Sequence, residues 1–532
     1  MRLGSLGIQS DSKERRAHRL AFCVVAGCFL SAIPGSLVAS AQAPLATVSV
    51  QTEQLGARIP EDFVGFSLEV STAGQGIGAF GGSTSESRAR VAEYALGTPE
   101  APNKGFFQFM RNLGPGILRL GGNSQDNTCW NATAAPHPDW CKGELRIGDF
   151  RQYSEAARAS GWRIILGLNL KQNTSQCALA ELTHAVAKEI KPDEILGLEL
   201  GNEPDLFSRA GSRPGPYSPA DHVKDFLAYA EAFRQNSIAK RYALVGPATC
   251  CKWRNAQDLG TFIDGVGASK LKLVTVHSYL LTTCGGKQVT IAELLAPELM
   301  TRFNKEAESL VASARARKVP IALAETNSAS CGGMPGVSDA FAAALWGLDS
   351  LFSAAEDGFS GINFHFSYRP GGSSYNPVDT YKAVDARRKQ QGYQNVAKPL
   401  YYAMYLFRQS ASGKHLLSLT TNSAADLRSY ATSECASCAV NVVLINKDVS
   451  ASGRVSVHVS NRTRRAELLF LEAPKLDSLS SEVTYGGVQF DSEGHIPTPH
   501  LEQIEPDPNG NYQFNLPNAA AALLVVPSPK QR

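Results

Sequence analysis

The sequence predicts an α/β protein, a (β/α)8 TIM barrel followed by a C-terminal all-β sandwich. Three observations carry this reading. Eight short apolar segments alternate with helical patterns over about 340 residues, as a barrel with insertions requires. Most of these segments end in polar residues, which a parallel barrel gathers at its carboxyl-terminal mouth. After Leu406 the helical period gives way to strand-like runs separated by turn residues. An open doubly wound sheet also alternates, but the count of eight and the polar endings favour a closed barrel.

The 532-residue chain opens with Lys13, Arg15, Arg16 and Arg19, then an apolar run, Leu20 to Ala32, short for a membrane span. Ala39-Ser40-Ala41 supplies small residues for cleavage. Residues 1–41 read as a signal peptide, so the expected location is secreted or periplasmic, without a membrane anchor. Residues 42–60 are expected to add a strand to the sandwich, with Ala46 to Gln51 as an edge strand. The barrel is assigned to 61–406 and the sandwich to 407–532.

The barrel strands follow in order. Phe63 to Glu69 is first and ends in a carboxylate. The glycine-rich stretch Gly74 to Gly82 contains Gly76-x-Gly78-x-x-Gly81, but Ser83, Thr84 and Ser85 intervene before any helical pattern. A dinucleotide site needs those glycines to turn directly from strand into helix, so a loop over a cleft is the better reading. Gly116 to Gly122, Arg163 to Leu170 and the strand opening at Ile195 follow, with helices at Lys104–Asn112, Arg146–Ser160 and Ala178–Ile190. Tyr242–Pro247, Leu271–Tyr279, the strand of Glu325 and Gly361–Phe366 complete the eight, with helices at Ala220–Gln235, Ile291–Arg317 and Val337–Ala355. Seven strand-like runs between His415 and Val526 make up the sandwich.

The whole formal charge of +3 lies in the first 41 residues, so the remaining chain is neutral. That gives no global argument for nucleic acid or another polyanion as partner. Nine cysteines lie beyond the leader, and export makes disulfides plausible. Cys129 with Cys141 is the expected local pair, and an odd total leaves at least one thiol unpaired within the chain. Cys435-x-x-Cys438 lacks a second ligand pair, so a hairpin-tip disulfide or inert thiols is expected rather than a metal site.

The chemistry concentrates in Ile195 to Asp205, where an apolar run ends in Asn202-Glu203-Pro204. Pro204 cannot continue a central strand, which puts Glu203 at a strand end. Ile321 to Asn327 ends the same way in Glu325. Two strand-end glutamates on one barrel can face each other across a sugar, one protonated and one ionised, as glycoside cleavage needs. Asn202 is placed to bond a sugar hydroxyl or to cap the next turn. Tyr279 is placed to donate to Glu325, and Arg119 to orient a carboxylate or pair structurally. His277 and His365, taken singly, read as satisfied core histidines.

These residues resemble the heparanase and β-glucuronidase family, glycoside hydrolase family 79. The shared features are Asn202-Glu203-Pro204, Glu325-Thr326-Asn327-Ser328 with Gly332-Gly333, Arg119-Leu-Gly-Gly122 with Asp126, and His277-Ser-Tyr279. The resemblance implies Glu203 as acid/base and Glu325 as nucleophile of a retaining enzyme. It implies Asn202, Tyr279, Glu69 and Asp126 as sugar contacts, and needs no cofactor or metal. It also implies a glucuronate carboxylate held by two tyrosines and by glycine amides. Here the tyrosine positions hold Ser330 and Phe364, and the amides fall at Gly332. Losing two donors costs about a few kcal/mol unless they are replaced; Tyr368 is one candidate replacement. The expected function is an exported, β-glucuronidase-like exo-hydrolase acting on a glycoside, oligosaccharide or polysaccharide. The alternatives are a β-glycosidase for a neutral sugar, a heparanase-like endo-hydrolase, or a carbohydrate-binding protein.

Overall fold

The computed structural model describes residues 44–70, 95–98, 101–130, 140–141, 143–172, 174–209, 213, 215–367, 373–385 and 390–529. The segment read as a signal peptide, the glycine-rich stretch and Tyr368 lie outside these residues.

After β1 (Ala46–Arg58) come eight parallel strands: β2 (Val64–Glu69), β3 (Ile117–Gly121), β4 (Arg163–Leu168), β5 (Ile195–Leu200), β6 (Leu244–Thr249), β7 (Leu271–Ser278), β8 (Ile321–Thr326) and β9 (Ile362–His365). They close on themselves, with β9 pairing β2 in register Ile362↔Val64. Helices alternate with them: α1 (Lys104–Asn112), α2 (Ile147–Ser160), α3 (Ser175–Glu181), α4 (Pro219–Gln235), α5 (Ala256–Val266), α6 (Pro297–Ala316) and α7 (Phe341–Asp357). Barrel strands are covered on both faces, which is why they read as unbroken apolar runs. Ile117, Ile165, Val245, Leu273 and Ala322 fill the interior as a separate apolar cluster.

The helical expectations shift at identifiable points. The helix expected over Ala178–Ile190 starts at Ser175, capped by Thr174, and passes through a π turn at Leu182–Val186. Pro297 opens α6 and separates it from a short helix, Ile291–Leu295. α5 and α8 (Pro399–Ser410) were not expected from the sequence. In α5, Asn255 caps the helix, but Gly260 and Gly265 weaken its pattern.

Past the barrel, the hairpin β10 (Val378–Asp385) and β11 (Gln390–Ala397) precedes α8. The remaining strands are β12 (His415–Ser423), β13 (Leu427–Ser433), β14 (Val440–Asn446), β15 (Gly453–Val459), β16 (Ala466–Glu472), β17 (Thr484–Tyr485), β18 (Glu502–Ile504), β19 (Asn511–Leu516) and β20 (Ala520–Val526). With β1 they form one ten-stranded sheet, ordered β17-β16-β20-β14-β13-β12-β1-β15-β19, with β18 on β16. The sheet curls around its own core of Val48, Val442, Val457, Leu468 and Leu524. β1 is no edge strand: it pairs antiparallel with β12 and parallel with β15. Among the described residues no helix is long and apolar enough to cross a membrane.

Among the described residues four cysteine pairs form. Cys129–Cys141 joins as expected and Cys435–Cys438 takes the hairpin-tip option. Cys284–Cys331 and Cys250–Cys251 were not assigned from sequence, and Cys177 stays free.

Candidate active site

The site lies at the carboxyl ends of β2, β3, β5, β7, β8 and β9. Its anchor is Arg119 on β3, wholly buried. Nε donates to Glu199 at 2.6 Å, Nη1 to Glu325 at 2.7 Å and to the Ser67 hydroxyl at 3.0 Å, and Nη2 to Asn202 at 2.8 Å. One guanidinium thus ties four strands at a common level, using its fixed fork of donors. Burial alone would lower its pKa, but Glu199 and Glu325 reverse that and raise it. Glu199 and Ser67 escape a sequence reading because each sits inside an apolar strand run, where nothing marks an inward-facing polar residue.

Glu203 follows β5 in a left-handed conformation, φ 50° and ψ 54°. Its amide donates to Ala248 O at 3.0 Å, and Pro204 opens a single 3₁₀ turn behind it. This turn aims the carboxyl group at His277 Nδ1, 3.1 Å away. Glu325, on β8, accepts from Arg119 and from the Tyr279 hydroxyl at 3.0 Å. One carboxylate oxygen of Glu203, one of Glu325 and a ring nitrogen of His277 all lie within 4.8 Å of one another.

The two carboxyl groups are driven in opposite directions. Burial is the largest influence on Glu203 and raises its pKa well above the usual range; Glu325 and Asp205 add to this, against Arg119 and His365. Burial would raise Glu325 too, but His365, His277, Arg119 and the Tyr279 hydrogen bond outweigh it and lower it to about 2. Burial pushes His277 itself down to about 4, so near neutral pH its ring is uncharged. Arg119, permanently charged, then acts with His365 to hold Glu325 ionised.

Asn202 reaches the site, its side-chain oxygen held by Arg119. Asp126 lies beneath it. The Asp126 carboxylate is buried and takes the amides of Leu170, Lys171 and Asn202 at 3.0, 3.1 and 2.7 Å. That makes it a brace for the turns after β4 and β5. Glu69 accepts from the amides of Asn123 and Ser124 and lies 3.7 Å from His365 Nε2. Gly122, at φ +76°, makes room for it: a Cβ there would sit 2.6 Å from the Glu69 carboxylate.

Two expectations fail here. Phe364 does not face the site. Along β9 successive side chains alternate, so His365 points to Glu325 and Glu69 while Phe364 is buried edge-on against Trp346 of α7, 6.1 Å between ring centres. Ser330 does not present a free hydroxyl either: it donates to Thr282 at 2.7 Å, in a turn fastened by Cys284–Cys331. Conversely, His277 and His365 are not core histidines but line the carboxylate pair. Tyr375, which the sequence did not single out, packs edge-on against His365 at 6.2 Å.

Cys331, Gly332 and Gly333 adopt successive positive φ values of 65°, 92° and 76°. Their neighbouring carbonyls are tied back: Ser330 O to Thr283, and Gly332 O to Ser373 and Ser374. No amide of these residues donates to another described group. A run of such amides forms an anion-binding concavity. The donor atoms of Glu203, His277 and Glu325 are close enough for a cation, but one would sit beside the Arg119 guanidinium. Asp205 with Cys250 and Cys251 is the other such group, and there the Asp205 oxygens already hold the amides of Cys250, Cys251 and Lys252.

No protein-family model matches the chain. It aligns with a β-glucuronidase of Neurospora crassa at 24% identity over 476 residues, covering 83% of this chain and 78% of that protein. A β-glucuronidase of Aspergillus niger aligns at 25% over 44% of each chain, and a heparanase of Gallus gallus at 26% over 42% of each. Among solved structures, a 4-O-α-L-rhamnosyl-β-D-glucuronidase from Fusarium oxysporum superposes with a TM-score of 0.69 at 18% identity, covering 90% of this chain and all of that one. A family 51 arabinofuranosidase from Xanthomonas axonopodis superposes at 0.65 and 13%, over 91% and all of the respective chains. A closed (β/α)8 barrel with a carboxyl pair at its mouth, among such relatives, is a glycoside hydrolase. Within that class the chain resembles the heparanase and β-glucuronidase family, glycoside hydrolase family 79.

Proposed function

We propose that the protein is an exported, retaining β-glycosidase, a β-glucuronidase-like exo-hydrolase in which Glu325 is the nucleophile and Glu203 the acid/base. The observation that carries this is the carboxyl pair: oxygens within 4.8 Å, one group raised in pKa and the other lowered. Retaining enzymes hold the two groups about 5–5.5 Å apart, whereas inversion needs roughly 6.5–9.5 Å to admit a water.

In the first step Glu325 attacks the anomeric carbon while Glu203 gives its proton to the departing oxygen, leaving a glycosyl ester. In the second, Glu203 takes a proton from water, which attacks the anomeric carbon and releases Glu325. Arg119 and Tyr279 hold the nucleophile ionised and aimed. Asn202, fixed by Arg119 and Asp126, is placed for the sugar 2-hydroxyl.

The three amides of Cys331 to Gly333 support a uronate glycone, in keeping with the glucuronidases among the relatives. The tied Ser330 hydroxyl and the outward Phe364 favour a neutral sugar instead. Hydrolysis of a panel of 4-nitrophenyl β-glycosides separates the two. Glu325→Gln and Glu203→Gln should both lose activity by about 10³-fold or more. Azide should restore turnover to Glu203→Gln with an activated leaving group and give a β-azide. An α-product, or full activity in Glu325→Gln, would sink the mechanism. Release of a mature chain starting near Gln42 would test export.

A further inference from the structure

The glycone side of the site carries an excess of negative charge. Glu69, Glu199 and Glu325 are its carboxylates, and the Arg119 guanidinium is already divided between Glu199 and Glu325. An anionic sugar entering this pocket meets repulsion unless another positive charge is present. His365 is placed to supply one. Its Nδ1 lies 3.7 Å from Glu325 and 3.0 Å from the Ser67 hydroxyl, and its Nε2 lies 3.7 Å from Glu69. The groups facing it are Glu69 and Ser67 from β2, Arg119 from β3, His277 from β7, Glu325 from β8 and Tyr375 from the following loop.

Two further features fit. Ser67 can donate to the neutral His365 Nδ1 and accept from the protonated one, so this 3.0 Å contact persists whether or not His365 carries the proton. Asn327 donates to the carbonyls of both His365 and Tyr375, at 2.9 and 3.0 Å. Tyr375 in turn lies against Gly333, whose added Cβ would come within 3.0 Å of the Tyr375 Cβ. The imidazole and the amide turn of Cys331 to Gly333 are therefore built into one wall.

We propose that His365, as the imidazolium, is the specificity-determining charge of this site: it admits a uronate-type, anionic glycone, and that sugar's binding is coupled to protonation of His365. The proposal rests on the glycosidase reading of the pocket and names its substrate class. Burial works against the charged ring, but Glu325 and Glu69 outweigh it, so the pKa is raised. A bound uronate raises it further, and linkage then requires proton uptake on binding.

The test compares kcat/KM for 4-nitrophenyl β-glucuronide and 4-nitrophenyl β-xyloside, which lacks the carboxylate, from pH 5 to 9. Ionisation of Glu203 and Glu325 affects both substrates and cancels in the ratio. The ratio should fall up to about tenfold per pH unit above the His365 pKa. In His365→Asn, with His365→Gln as a second variant, it should lose that slope and drop at least tenfold. Calorimetry of glucuronate binding in buffers of different ionisation heat supplies a readout independent of turnover: proton uptake near neutral pH, absent in the variants. A flat ratio, or glucuronate binding without uptake, overturns the proposal, as does failure to bind glucuronate. Uptake without hydrolysis of either substrate would instead sink the catalytic reading and leave this one standing.

Discussion

Arg119 shows how much of the site depends on single residues. It is buried with two carboxylates in contact, so Arg119→Met should strand both charges. Breaking such a pair costs about 3–5 kcal/mol, measurable by urea denaturation at pH 7. The loss should shrink as pH falls and the stranded carboxylates take up protons. Tyr279→Phe is gentler and acts on the pH profile. In the proposed mechanism Glu325 must be ionised, so activity should fall as pH drops towards its lowered pKa of about 2. In the same mechanism Glu203 must hold a proton, so activity should fall as pH rises through its raised pKa. Removing the Tyr279 hydroxyl should move the acid limb up by about one unit and leave the alkaline limb in place; movement of the alkaline limb alone would contradict the assignment. Glu203, Glu325, Asn202 and Tyr279 were legible in the sequence because polar residues at the end of an apolar run stand out. Glu199 and Ser67 were not, because β5 and β2 are buried on both faces and no alternation marks the inward side. The same lack of pattern let Phe364 be taken for a site residue one position away from His365.

Elements carry the next layer. The barrel strands were readable because each is a short apolar run with a polar end. α5 and the hairpin β10–β11 were missed, the first for its two internal glycines and the second because Val378 to Ala397 is largely polar. β19 was missed although its alternate residues Tyr512, Phe514 and Leu516 are buried. Disulfide partners cannot be read from spacing when they join distant loops. Cys284–Cys331 does so across 47 residues, clamping the turn after β7 to the amide turn after β8. Replacing both cysteines by serine should cost about 2–4 kcal/mol. On the proposed reading, in which the amide turn binds the glycone while Glu203 and Glu325 stand on other supports, it should also raise KM more than it lowers kcat. Steady-state kinetics with a β-glucuronide checks this; a fall in kcat with KM unchanged would place the clamp's effect on the carboxyl pair.

At the scale of the whole molecule, the barrel and the curled sheet share their core. α7 is buried from Phe341 to Ala355, with the barrel on one side and β14 and α8 on others. Gly347 lets α8 approach: a Cβ there would lie 2.2 Å from Leu400 Cδ1. Asp349, fully buried at the middle of α7, accepts from Lys447 at 2.9 Å and from Tyr430 at 2.6 Å, both supplied by the sheet side. Among the described residues, the cations beside this buried charge, Lys447 and Arg428 (Nε at 3.4 Å), both come after Leu406. The sheet is therefore part of what makes the barrel fold, and Lys447→Met should destabilise the protein by up to about 3 kcal/mol, Arg428 and Tyr430 still contacting Asp349, even though it is remote from the carboxyl pair. The same coupling predicts one cooperative transition in calorimetry, shifted as a whole when a glycone ligand binds the barrel. In Lys447→Met that single transition should move to lower temperature without dividing. Two separated transitions, only one of them responding to ligand, would mean that the sheet folds independently and that the Asp349–Lys447 pair is a surface of contact rather than a common core.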